Sequence, residues 1–229
     1  MKRILGLALA AATAFCGTAV AAPQPERIRG TVSALAGNEM TVHTTSGSAV
    51  SLLLGSGTKY LEVLPSSLKR VETGSYIGTA AKTVGGKLIA LEVVVFPPSM
   101  KGAGEGHYAW DRIPDTTVAN GTRAASTMTN GTVATVAKGG SGATASSSMT
   151  NGSVTAASAK GGAKDLTVTY KGGRQNILVP PTAPIVTFAP ATVSDLKVGS
   201  VVFVNATSDN GKTTAVRVVM GSHGVKPPM

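Results

Sequence analysis

The densest group of residues able to do chemistry is the run Glu105-Gly106-His107-Tyr108-Ala109-Trp110-Asp111. Two carboxylates and an imidazole within seven residues are donor types that hold a divalent cation when a loop folds back on itself. His223 follows the last strand expected in the second half of the chain, much as His107 follows the last strand of the first half, and it joins the candidate set. The spacing is less persuasive than the residue types. The chain has no HxxxH and no CxxC, and its single cysteine, Cys16, lies in an N-terminal apolar segment. His43 falls on an expected strand and faces solvent. The plain reading of 100–111 is a post-strand loop whose Tyr108 and Trp110 cap a barrel end or offer ring surface to a ligand or partner.

Catalytic chemistry has still less support. No GxSxG is present, no Ser/His/Asp spacing stands out, and the serines crowd into turns. No pair among the 11 acidic residues is marked out for glycoside hydrolysis. The expectation is a protein that is not an enzyme and carries no cofactor. A net charge of +10 suggests nucleic acid as a partner. Single-strand binding, however, needs aromatic rings beside clustered basic residues. Here the aromatics are 4% of the chain, most of them within or beside strands, and no basic run after the N-terminus exceeds Lys69-Arg70. Nucleic acid is therefore not expected.

The elements that must position these residues are strands. Charged residues make up only 14% of the chain, hydrophobic residues 42%, and there are 28 glycines. That balance disfavours charged amphipathic helices and strongly charged disorder alike. Four blocks recur in the same order. Arg29-Gly30-Thr31-Val32 matches Asn130-Gly131-Thr132-Val133, and Glu39-Met40-Thr41-Val42 matches Asp165-Leu166-Thr167-Val168. Leu68-Lys69 with Gly74-Ser75 matches Leu196-Lys197 with Gly199-Ser200, and 85–95 matches 210–220. The chain reads as a duplicated unit. Strands are expected near 27–35, 39–46, 48–55, 75–83 and 87–96, punctuated by Gly37-Asn38, Ser46-Gly47 and Gly85-Gly86, with a single helical turn within 63–73. Five strands that must bury one face and hide their edges favour closure. The predicted fold is all-β: two tandem, small, five-stranded OB-like barrels, with an SH3-like barrel or sandwich as the alternative for each unit.

The expected boundaries are a signal peptide over 1–21, a first barrel over 22–97, a connector over 98–127, a second barrel over 128–220 and a tail over 221–229. A second short repeat, MTNGTVATVAKGG (128–140) and MTNGSVTAASAKGG (149–162), places the first strand of the second barrel at 128–137 and a Gly/Ser/Ala-rich insertion around 138–163. The N-terminus carries Lys2-Arg3, an apolar stretch and Ala19-Val20-Ala21, the layout of a cleaved secretory signal, with cleavage expected after Ala21. Removal of Lys2 and Arg3 leaves +8 on the remainder, which contains no cysteine and no apolar run long enough to span a membrane. Periplasmic or secreted localisation follows as the expectation.

Arg27-Ile28-Arg29-Gly30-Thr31-Val32, Glu39-Met40-Thr41-Val42 and Ala90-Leu91-Glu92-Val93-Val94-Val95, with their second-half counterparts, resemble a family of exported bacterial domains with OB-like barrels and no assigned activity. The stretch 100–111 and the Pro-Pro-Met terminus are similar to those of its two-copy members. The resemblance implies architecture and supplies no catalytic residues. The functional expectation is a non-enzymatic binding or scaffold protein that contacts a small ligand or an envelope protein through barrel-end loops, Tyr108 and Trp110 foremost, and that can form a homodimer. The alternative is a metal-binding accessory protein using Glu105, His107, Asp111 and His223.

Overall fold

The computed structural model describes residues 22–119, 122–139 and 162–227. The expected signal peptide and most of the expected insertion lie outside the described residues. Within them the chain is all-β. Its strands are β1 (Gln24–Ala36), β2 (Glu39–Thr44), β3 (Ala49–Pro65), β4 (Tyr76–Val84), β5 (Lys87–Val95), β6 (Gly106–Pro114), β7 (Arg123–Lys138), β8 (Lys164–Tyr170), β9 (Gly173–Val179), β10 (Ile185–Ala191), β11 (Val201–Asp209) and β12 (Lys212–Gly221). Single 3-10 turns occur at Leu68–Arg70, Pro98–Met100 and Val193–Asp195. No helix among the described residues is long and apolar enough to cross a membrane.

The strands close into two five-stranded rings. In ring one, β1 pairs β2, β2 pairs β3, β3 runs parallel to β12, β12 pairs β11, and β11 returns to β1. In ring two, β7 pairs β8, β8 pairs β9, β9 runs parallel to β5 over Leu88↔Ile177 and Ile89↔Leu178, β5 pairs β4, and β4 returns to β7. Alternation along each strand turns one face inward. Val32, Met40, Val42, Leu52, Val204 and Val218 fill the first ring. Ile77, Ala90, Val93, Leu166, Val168 and Ile177 fill the second.

The strand order differs from the tandem expectation. Each ring takes three strands from one half of the chain and a hairpin from the other. β1–β3 are closed by β11 and β12, and β7–β9 by β4 and β5. The backbone bonds at the turns carry the same exchange: Gly74 N donates to Val133 O at 2.8 Å, and Gly199 N donates to Val32 O at 2.8 Å. The physical cause is β3. It continues about ten residues past its expected end at 55, because Leu61 and Val63 bury between the rings against Val94, Val186, Val219, Phe96, Phe188 and Phe203. The chain is thereby carried out of ring one before its next hairpin forms. β10 does the same in the second half, and the two crossing segments pair antiparallel, with Tyr60 opposite Ala191 and Val63 opposite Phe188.

A second difference concerns 98–127, read from sequence as a connector. It holds β6, which lies antiparallel on β7. Ile113 and Trp110 provide the reason, since they pack on Ala80, Leu91, Met128 and Ala124 on the outer face of ring two. The turn after β6 is pinned where Lys82 Nζ meets Asp115 at 2.7 Å and Thr116 Oγ1 donates to Leu91 O at 2.6 Å. β7 starts at Arg123, a few residues ahead of the expected 128.

Candidate functional site

β6 positions most of the candidate residues. It is an added strand with one edge on β7, where Gly106 to Trp110 oppose Asn130 to Ser126. The register slips between Trp110 and Ile113. That irregularity re-aims the side chains and turns Asp111 away from ring two toward β1. Arg27 and Arg29, two apart on an extended strand, share the outward face of β1, while Ile28 between them points into ring one.

The result is a charged seam between the rings. Arg27 donates to both oxygens of Asp111, Nη2 to Oδ1 at 2.8 Å and Nε to Oδ2 at 3.1 Å, and Arg29 Nη1 donates to Oδ2 at 2.8 Å. The Arg27 guanidinium also lies 4.4 Å over the Trp110 ring, and that of Arg29 lies 4.6 Å over Phe203. Hydrogen bonds from Arg27, then Arg29, hold the Asp111 carboxyl below its ordinary range although burial opposes ionisation. The same carboxylate raises Arg27. At Arg29, burial outweighs the carboxylate and the value falls. Arg29 Nε and Nη2 are buried without a hydrogen-bond partner among the described residues, as is Trp110 Nε1.

The other end of β6 is hydrogen-bonded into ring two. His107 Nδ1 shares a 2.8 Å hydrogen bond with Thr129 Oγ1, and its ring stacks on Tyr170 at 6.2 Å. Glu105 accepts from the Lys171 backbone N–H at 2.8 Å. The preceding loop is held by three side chains. Tyr76 donates to Ala103 O, while Tyr108 and Asn130 Nδ2 both donate to Gly104 O. Burial, with help from the Glu105 charge, pushes the Tyr76 hydroxyl up to about 12, so it stays a neutral donor at any physiological pH. Tyr108 is also raised, by burial working against Arg27, and remains 39% exposed, edge-on to Trp110 at 5.9 Å.

Of the residues picked out by sequence, the structure brings Tyr108, Trp110 and Asp111 to one seam. Glu105 and His107 are engaged elsewhere. His107 and Asp111 sit four residues apart on a strand, about 13 Å at the usual rise, and each has its own partners. His223 lies in the tail beyond β12, in the left-handed region at φ 52. No cluster of three or more His, Cys, Asp or Glu side chains suited to a metal ion occurs among the described residues. Two residues outside the sequence candidates, Arg27 and Arg29, organise the seam. Their alternate spacing placed them on one strand face, but their partner is more than 80 residues away.

A shallow hollow of about 310 Å³ opens beside the seam, lined by Pro25, Glu26, Arg27, Asp111, Asn205 and Ala206. A second, of about 340 Å³, is lined by Thr58, Lys59, Tyr60, Leu61, Met100, Pro190, Ala191 and Arg217. The arrangement offers fixed cations, ring faces and hydrogen-bonding groups, which is equipment for recognition. Comparison of the chain with protein-family models, with curated proteins and with solved structures returns no match.

Proposed function

We propose that this chain is an exported, non-enzymatic binding or scaffold protein that engages its partner through β6 and the loop before it. The single observation that carries the reading is the construction of β6. A strand outside both closed rings is held at each end by side-chain hydrogen bonds and presents a half-exposed Tyr108 against an immobilised Trp110. A rigid ring at a surface loses little entropy on binding. The paired, antiparallel rings with one parallel seam each support the OB-like reading and membership of the exported family. The recurrence of matched details supports duplication of one unit. An extra residue bulges at Ser33 in β1 and at Ala134 in β7, and another at Leu91 in β5 and at Val216 in β12. In that reading the hairpins were exchanged between the copies.

The experiment is affinity capture from an envelope extract with the protein beginning at residue 22, beside a Tyr108→Ser variant. A species retained by the native protein and lost with Tyr108→Ser is the expected result; identical capture by both overturns the use of β6. The metal-accessory reading is separated by thermal unfolding of metal-stripped protein with and without Zn²⁺. Binding at 100 times Kd stabilises by about 2.7 kcal/mol, and the binding reading expects no such shift.

A further inference from the structure

One row of strand partners joins residues of the two hollows. Cross-strand register places Arg27 opposite Asn205, Asn205 opposite Arg217, and Arg217 opposite Lys59. These four residues form a row across β1, β11, β12 and β3. Their neighbours Ile28, Val204, Val218 and Tyr60 pack into ring one, so the row faces outward. At about 4.8 Å per strand it spans about 14 Å. The next row on the same face, Arg29, Phe203, Val219 and Leu61, turns toward ring two, with the last three residues inside the inter-ring cluster. The basic row is therefore the rim of that interface, flanked by Asp111 at one hollow and by Met100, Pro190 and Ala191 at the other.

The charge along this groove is unbalanced. Its lining carries Arg27, Arg217 and Lys59 against Glu26 and Asp111, both at the Arg27 end, and Asp111 is already shared between Arg27 and Arg29. Arg217 and Lys59 stand side by side on parallel strands, and neither enters an ion pair among the described residues. Adjacent like charges on neighbouring strands cost stability, and an anionic ligand removes that cost. The ring faces along this row are taken. Arg27 covers Trp110, Arg29 covers Phe203, and Tyr60 packs toward ring one. With no free ring among the residues that line the two hollows, recognition rests on charge and on hydrogen bonds such as those Asn205 can make.

We propose that the groove along Arg27, Asn205, Arg217 and Lys59 binds a linear acidic polysaccharide, with carboxylate groups at Arg217 and Lys59 and a sugar unit in each hollow. The proposal rests on the binding-protein reading and goes beyond it to a row of residues that does not include Tyr108. The probe is an oligogalacturonate of about eight units, titrated against the full protein. Trp110 is the only tryptophan in the sequence and lies beneath Arg27, so its fluorescence reports occupancy directly. Saturable binding is expected, weakening as salt is raised and at least tenfold weaker in the Arg217→Ala/Lys59→Ala double variant. Circular dichroism of the double variant checks that these exposed and half-exposed changes leave the fold intact. Absence of saturable binding at low salt overturns the proposal, as does equal affinity in the double variant. Tighter binding of a 20-mer oligothymidylate with the same dependence on Arg217 and Lys59 also overturns it, in favour of nucleic acid. If oligogalacturonate fails while Tyr108-dependent capture persists, the groove alone is lost and the binding reading stands.

Discussion

Asp111 is the residue on which the seam between the rings turns. One carboxylate satisfies parts of two guanidiniums, one of them largely buried. Its ionisation is favoured in the folded chain, chiefly by the hydrogen bond from Arg27. A carboxyl whose folded value is depressed adds stability that is fully present above its unfolded value, about 3.9, and that disappears as pH falls through the folded one. Asp111→Asn is therefore less stable than the native protein at pH 6–7, and the gap narrows below about pH 4. Urea midpoints of both proteins across pH 7 to 2.5 measure this. A gap that stays constant over that range would mean the seam contributes nothing through ionisation. Asp115, held by Lys82 and Thr117 against burial, titrates in the same direction in both proteins and cancels from the comparison.

At the scale of elements, closure of each ring depends on a glycine in its first strand. A Cβ at Gly30 would strike the His43 carbonyl, with the carbonyl carbon at 2.8 Å and Val42 Cγ1 at 2.7 Å; at Gly131 it would strike the Thr169 carbonyl and Val168. The obstruction is backbone and cannot rotate away, so β2 or β8 must shift. Gly30→Ala and Gly131→Ala should each cost about 2–3 kcal/mol, the upper part of the range for overpacked sites. Gly55→Ala and Gly57→Ala, where a Cβ meets nothing within 4 Å, should be neutral or slightly stabilising because they restrict the unfolded chain. Equal effects at all four positions would contradict this account of closure. Both crowded glycines were visible as a repeated Gly-Thr-Val, and the short strands, turns and single helical turn were legible because they depend on local chemistry. β6 was not. His-Tyr-Ala-Trp-Asp-Arg-Ile lacks a clean alternation because a bulge interrupts it, and its partner strand lies beyond a mostly polar connection, 115–122, with no hairpin spacing. The seam was half legible. Asp111 and Trp110 were noticed for their chemistry, whereas Arg27 and Arg29 acquire theirs only when β1 is laid beside β6.

The exchange of hairpins is a property of the whole molecule, and no local pattern encodes it. Both ways of closing five strands bury the same inward residues and use the same turns. What separates them is the continuation of β3 and β10 across the gap, where Leu61, Val63, Val186 and Phe188 bury against each other and against Phe96, Val94 and Val219. Tandem closure would pull those segments back and leave that apolar surface in water, at roughly 25 cal/mol for each Å² exposed. It follows that neither half of the chain completes the observed structure alone. Fragments 22–119 and 122–229, unfolded together and refolded, should associate one to one and melt in a single transition, with equal calorimetric and van't Hoff enthalpies. Either fragment alone should pair with its own copy by the same exchange. Analytical ultracentrifugation decides between the topologies. Two fragments that fold as separate monomers and ignore each other would show that each half closes on itself. In the intact chain the same interlock couples the two cores, so Leu166→Ala, deep in ring two, should lower the melting temperature of the entire molecule without splitting its transition.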